Sequence, residues 1–404
     1  MKSIVFLGSN KSGSSREAIK AAERLGYFTI LLTDREKFLE QRTEFPDVHK
    51  MVYIDVHDNE VIQQEIKTFQ ELGLQIIAII SLIEPHVYQA AKLSEQLCNT
   101  KGSTEAIYLM EDKIRTREIL KGHPASFFYS VFTKEDKLDQ FTKKYISKLP
   151  LIVKTPNSTG SKDVILATNE QEFKDAIEQL FQQGNQSPIL IEEYLEGPQY
   201  LVEVLVENDS VHIIGIIEQV IEQGERFIIT GYSLLPTLGR EQLDELYDVI
   251  DSICKRIKLR DGAAHFELRR IEEKWKLVEA NPRISGGVVN RLIKVGTGLD
   301  LCEETIKLIL GEKTKGSPLF LQYAHAQYLT VDKKGKLVKV TGKNRASKHD
   351  GVVEVYIKPR KGQRLQPPMS MGHRYGYVLA VAEDKEKAIQ ITREAAKEIS
   401  FHLD

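Results

Sequence analysis

Short apolar runs alternate with amphipathic segments over the first hundred residues. SIVFLG (3–8) precedes SREAIKAAERLG (15–26); then come YFTILLTD (27–34), a helical pattern around Glu60–Leu72, QIIAIISLI (75–83) and a helical pattern over Val87–Leu97. Apolar strands separated by amphipathic helices predict a parallel, doubly wound sheet with ligands at the carboxyl ends of its strands. Glu84-Pro85-His86 follow one such end. Pro85, with its fixed φ, would be a stiff wall that excludes large side chains there, or it simply opens the helix beginning at Val87. Gly8–Gly13 lack GxGxxG, and Asp34 mimics a ribose-binding acid only loosely, so an NAD-dependent oxidoreductase is poorly supported.

From Tyr108 the texture changes. MEDKIRTREIL (110–120) reads as one charged helix, and LPLIVKTPNSTGSKDVILA (149–167) as strand, Gly/Ser-rich turn and strand. A helix over Glu170–Gln183 follows, then PILIEEYLEGPQYLVEVLVEN as two strands kinked at Gly197-Pro198, and a long helix over Arg240–Ile257. Two adjacent strands then carry AHFELRR (264–270) and KLVEANPRISGG (276–287). Beyond Gly316-Ser317-Pro318 the chain is strand-rich and basic, and Lys385–Phe401 reads as an amphipathic helix.

The 404 residues exceed one ordinary core, and the pattern divides them into 1–110, 111–315 with a subdomain at about 125–195, and 316–404. A net charge of −2 with evenly spread lysine and arginine argues against a nucleic-acid or membrane partner. Cys98, Cys254 and Cys302 are isolated, which fits free thiols in a reducing compartment. The first apolar run is too short for a signal-peptide core and is broken at Gly8, so a cytoplasmic location is expected.

Chemistry concentrates in the acidic hairpin. Glu267 and Glu279 sit inside apolar, period-two runs, where an unpaired carboxylate is costly to bury. Mg²⁺ fits, since it takes a couple of carboxylates plus phosphate oxygens, and Asn281 adds a neutral oxygen on the same strand face. Arg283, two residues on, brings a fork of donors to the same anionic cluster. Upstream, Lys154 and Lys162 bracket a small-residue tip containing Ser158, Thr159, Gly160 and Ser161, which can close over a triphosphate. Taken alone, the tip reads equally well as an exposed hairpin. Lys113 alone is a solvated helix charge, and IEEYL (191–195) alone is an edge strand. Read as an adenine hinge, IEEYL turns one acid inward to the base or ribose and offers backbone at Tyr194 and Leu195.

In sequence, Lys113, Lys154, the loop 157–164, Glu192–Leu195, Glu203, Glu267, Glu279, Asn281 and Arg283 closely resemble the ATP-grasp carboxylate–amine ligases of the biotin carboxylase-like group. The likeness is closest to bacterial L-amino acid ligases and extends over essentially the whole chain, including MGHRYGYVLAVAEDKEKAI (371–389). It implies an α/β ATP-grasp fold with an N-terminal parallel α/β domain, a central lid domain and a C-terminal α+β domain. It also implies that Lys113, Lys154, Ser158, Thr159, Gly160, Ser161, Glu192, Glu193, Tyr194, Leu195 and Glu203 contact ATP. Glu267, Glu279 and Asn281 would hold two Mg²⁺ ions, with Mn²⁺ as a substitute, and Arg283, Gly286 and Gly287 would hold the acyl phosphate. Glu84, Pro85, Ile229, Tyr232 and Asn290 would line the amino acid sites.

One departure stands out. Family members commonly carry Glu and His in an FxExGH-like strand, whereas FIITGYSLLP has Ile229 and Tyr232 at those places. With Gly286 and Gly287 placing no side chains beside the acyl site, the expectation is an apolar first substrate such as Met or Leu; the Pro85 wall gives a small second one (Gly, Ala or Ser), and a homodimer is expected separately. Two alternatives remain: an ATP-grasp ligase with a substrate other than an amino acid, and a nucleotide-binding protein without turnover.

Overall fold

The computed structural model describes all residues except 157–159, 161–162, 185 and 224–226, together with the side chain of residue 223. Lys2–Leu7, Phe28–Thr33, Lys50–Tyr53 and Gln75–Ile80 form a parallel sheet in the order third, second, first, fourth. Its strands are near-continuously apolar because helices cover both faces, and Val5, Leu7, Ile30 and Leu32 are fully buried. Past the carboxyl end of its fourth strand, Glu84 reaches Arg283 of the rest of the molecule.

The central element is an eight-stranded antiparallel sheet. Its order is Lys274–Asn281, Gly262–Ile271, Gln199–Glu207, Ser210–Gln223, Phe227–Leu235, Tyr323–Leu329, Gly376–Ala382 and Val352–Ile357. The last three strands come from beyond residue 316, so the C-terminal part completes this sheet. The long helix Arg240–Arg256 packs Leu246, Ile250 and Ile253 onto one face with Phe266 and Leu268. A separate four-stranded sheet, Tyr129–Phe132, Ile189–Glu193, Leu151–Lys154 and Val164–Ala167, carries helices Leu138–Tyr145 and Glu170–Gln183 around Phe132, Phe141, Phe173 and Ile177.

Two helix expectations need correction. Residues 110–120 form no single helix: Thr104–Met110 ends, and Asp112 starts a new helix, Lys113–Ile119, by accepting from the Ile114 and Arg115 N–H groups at 2.8 and 3.1 Å. Four residues apart on this helix, Lys113 and Arg117 share one face. The C-terminal helix stops at Lys397 instead of Phe401, because Ser400–Leu403 forms a strand beside Gly335–Thr341.

His325 ties the C-terminal strands to the rest of the central sheet. Its Nδ1 lies 2.8 Å from Ser233 Oγ on the neighbouring strand, and its ring is wholly enclosed. Burial, then Arg393, pushes its pKa down to about 4 from 6.5. A histidine depressed in this way is neutral when folded and protonates first when unfolded, so its stabilising contribution is full above 6.5 and is lost as pH falls toward 4. Urea unfolding across that window should show this loss, and subtracting the His325→Asn profile from the parent's should isolate it. Parallel profiles would refute it.

Candidate active site

The acidic hairpin folds with Glu267 directly opposite Glu279, and His265 opposite Asn281. Like charges in register across strands repel unless donors or cations intervene. Each carboxylate has one: Lys113 Nζ stands 3.2 Å from Glu279 Oε1, and Gln199 Nε2 donates to Glu267 Oε2 at 3.0 Å. Burial, then the Glu279 charge, pushes Glu267 up to about 7. Burial also raises Glu279, but Lys113 and Lys154 outweigh it and hold this carboxyl below its ordinary range. Among the described residues no group of three or more His, Cys, Asp or Glu gathers as a metal cluster. Two facing carboxylates with Asn281 on the same wall therefore fit a hard cation that completes its shell with substrate oxygens, as Mg²⁺ does beside phosphates.

These residues line a cavity of about 370 Å³ between the central sheet and the four-stranded lid sheet. The structure brings Glu84, Lys113, Lys154, Gly160, Glu192, Glu193, Tyr194, Leu195, Ile229, Tyr232, Glu267, Glu279, Asn281, Arg283, Gly286 and Gly287 to its wall. Pro85, Glu203 and Asn290 lie off it, and Ser158, Thr159 and Ser161 fall outside the described residues. Asn290 instead accepts from the Cys302 N–H at 3.3 Å.

Glu192 has a different task from the one its sequence suggested. Only 3% exposed, its carboxylate accepts from Arg117 Nε and Lys154 Nζ, both at 2.6 Å. At the cavity wall it is thus held by two cations. Burial would raise its pKa, but Arg117 and Lys154 outweigh that and keep it ionised. The hinge backbone is also partly used: the Tyr194 N–H donates to the Pro150 carbonyl at 3.3 Å, and the Leu195 carbonyl accepts from Arg269. Arg269 also donates to Gln199 Oε1 at 2.9 Å and stands 5.9 Å from the Tyr194 ring centroid.

At the other end of the cavity, Arg283 donates to Glu84 of the N-terminal sheet and, at 3.1 Å, to the Ile284 carbonyl, while its buried Nε has no partner among the described residues. The Arg283 carbonyl accepts from His265 Nδ1 at 2.7 Å. Burial, then the Arg283 charge, pushes the His265 pKa down to about 3, so the ring is neutral and its Nδ1–H is the donor. Glu203, wholly buried, accepts from the Ser285 N–H at 2.9 Å, and burial raises its pKa to about 7. Glu203 therefore pins the Ser285–Gly287 turn from behind. Ser14 of the Gly/Ser turn pins it from the N-terminal side by donating to the Ser285 carbonyl.

Arg117, Gln199, His265, Arg269, Met371 and Arg374 were not anticipated. Two of them had a signal: Arg117 lies four residues after Lys113 on one helix face, and Arg269 two residues after Glu267 on one strand face. Arg374 comes from a distant strand connection and had none.

Family models match along the chain. Residues 19–98 match the ATP-grasp N-terminal domain, 147–291 the ATP-grasp domain, and 327–404 the L-amino acid ligase C-terminal domain 2. The chain belongs to the ATP-grasp ligase family, and its fold is that of the biotin carboxylase-like structures. Among solved structures, an L-amino acid ligase from Bacillus licheniformis superposes with a TM-score of 0.84 at 20% identity, covering 100% of this chain and 99% of that one. Phosphoribosylglycinamide synthetase from Anaerococcus prevotii gives 0.75 at 16%, covering 100% of both chains. By sequence, the uncharacterized protein y4rH of Sinorhizobium fredii is 26% identical over 100% of this chain and 84% of its own length. A carbamoyl phosphate synthase large chain from Clostridium beijerinckii is 23% identical over 75% of this chain but only 28% of that protein.

Removing one partner of a buried ion pair leaves an uncompensated charge. Glu192→Ala should lower unfolding free energy in a urea titration by about 3 kcal/mol, and Glu192→Gln, which keeps a hydrogen-bond acceptor, by less. A loss within error for the alanine variant would mean that Lys154 and Arg117 find other partners.

Proposed function

We propose that this protein is an ATP-dependent L-amino acid ligase joining two free amino acids into a dipeptide, with ADP and phosphate released. The observation that carries this reading is one cavity holding the facing Glu267 and Glu279 at one end and Arg283 with the Ser285–Gly287 turn at the other.

The hinge would hold the adenine of ATP, with the Tyr194 carbonyl and the Leu195 N–H as acceptor and donor. Lys113 and Lys154 would hold its phosphates. Glu267, Glu279 and Asn281 would hold Mg²⁺, which neutralises phosphate charge and orients the γ-phosphoryl group. The described charged groups on the wall are balanced: Lys113, Lys154, Arg269, Arg283 and Arg374 against Glu84, Glu192, Glu193, Glu267 and Glu279. A triphosphate therefore requires the added positive charge of a metal.

The first substrate's carboxylate attacks the γ-phosphorus and forms an acyl phosphate as ADP leaves. Arg283 and the turn N–H groups hold the developing oxyanion, each well-aimed donor contributing about 3 kcal/mol. The second substrate's amine attacks the acyl carbon, phosphate departs with the C–O bond electrons, and the ammonium proton is lost. A closed lid sheet keeps water from the acyl phosphate. Ile229 and Tyr232, beside Arg374 at this end, are apolar wall residues, which supports Met or Leu as first substrate. The small second substrate expected from Pro85 has no such support, since Pro85 is not on the wall.

Incubation with Mg²⁺, ATP and pooled amino acids, followed by mass spectrometry, should yield ADP and a dipeptide. AMP with pyrophosphate would indicate adenylation instead, and no product would indicate binding without turnover. Glu279→Gln should lower ADP formation at least about tenfold by removing a metal-ligand charge with little change in volume; turnover near the parent's would remove Glu279 from the metal site. Arg283→Lys should keep ATP binding, read by calorimetry, and lose most ligation, because a point charge does not reproduce a guanidinium fork.

A further inference from the structure

A second cavity of about 560 Å³ adjoins the first and shares Gly287, Met371 and Arg374 with it. Its walls come from the Gly/Ser turn of the N-terminal sheet, the start of the helix Val289–Thr297 and the strand ends near Tyr356 and Gly376. Gly287 forms the partition. It has φ of +67°, and a Cβ there would stand 2.9 Å from the Tyr328 hydroxyl, so only glycine leaves the opening.

The charges on this wall are unevenly matched. Glu354 is paired with Arg291 at 2.8 Å and accepts from the Tyr377 hydroxyl at 2.6 Å. Glu17 is paired with Lys20 at 3.0 Å, and Lys11 with Glu44 at 3.4 Å. Lys358 and Arg374 remain, neither with a carboxylate partner among the described residues. Arg374 stacks 3.9 Å over the Tyr328 ring and donates to the Met371 carbonyl at 3.2 Å. The Lys358 N–H donates to the Tyr375 carbonyl at 2.9 Å, next in sequence to Arg374, and after burial the Arg374 charge also lowers the Lys358 pKa. The Tyr328 hydroxyl, on a side chain more than nine-tenths buried, lines the cavity and has no partner among the described residues. Two neighbouring cations and an idle hydroxyl want an anion that also hydrogen-bonds.

We infer that the second cavity is the site of the amine substrate, with its carboxylate held by Lys358, Arg374 and the Tyr328 hydroxyl and its amine directed past Gly287 to the acyl group. This deepens the ligase reading and rests on it. An α-amino acid carries both groups the arrangement needs. The volume exceeds what Gly, Ala or Ser fills, so larger acceptors are admitted, and a second carboxylate on the acceptor is tolerated by the cationic wall.

The test compares the parent with Lys358→Gln and Lys358→Arg, using methionine as first substrate and either alanine or ethylamine, its decarboxylated counterpart, as acceptor. Losing one charge-assisted contact should raise the KM for alanine about tenfold or more in Lys358→Gln, with the KM for ATP and methionine unmoved. The arginine variant should restore it. The parent should prefer alanine to ethylamine, and Lys358→Gln should lose most of that preference. An unchanged alanine KM, or a change confined to ATP, overturns the assignment while leaving the ligase reading in place. If no amino acid pair yields ADP, the ligase reading fails, and calorimetric titration of alanine decides the cavity. Binding that weakens in Lys358→Gln supports a carboxylate site there, and equal or absent binding overturns it.

Discussion

Two carboxylates face each other across a strand pair, and most of the polar architecture around them exists to make that tolerable. Glu267 and Glu279 share a register position between the edge strand and its neighbour, where repulsion and desolvation act together. Lys113 reaches them from a helix that Asp112 caps, Lys154 from the lid sheet and Gln199 from the adjoining strand. Each supporting group is itself held: Lys154 by Glu192, Glu192 by Arg117, Gln199 by Arg269. The chain of partners runs from the acidic pair to the hinge without leaving buried or half-buried side chains.

That ordering changes how the acids of the site divide their work. Glu192 and Glu203 are both buried, yet Glu192 is ionised between two cations and Glu203 is raised toward neutrality because desolvation outweighs its hydrogen bonds with Ser285 and the Arg283 charge. A neutral carboxyl can accept from the Ser285 N–H without importing charge beside Arg283. Position relative to cations, not burial alone, separates the structural acids from those exposed to the cavity.

Much of this was legible in the sequence because it depends on short-range periodicity. The acidic hairpin and the parallel N-terminal sheet follow from alternation over a few residues, whereas Lys154 and the hinge stood out only through the family resemblance. The errors have two physical sources. Pro85 and Glu203 have the right neighbours in sequence but are turned away by packing that no local pattern records. Glu192 was read as a ligand for the nucleotide because Arg117, its partner 75 residues away, is visible only in three dimensions. The helix expected over 110–120 failed more locally: Asp112 competes with the helical backbone as a cap, and the apolar pattern masks that break.

The central sheet also sets an order of assembly. Its first five strands lie between residues 199 and 281, but Tyr323–Leu329 and Gly376–Ala382 must add to the edge at Phe227–Leu235 before Met371 and Arg374 reach the cavity. As the chain leaves the ribosome, Tyr194, Lys154 and both facing carboxylates can therefore come together while the wall that Met371 and Arg374 complete is still unmade. On the proposed reading, a nascent chain holds nucleotide before it can protect an activated acid from water. Chemistry waits on the strand that forms last.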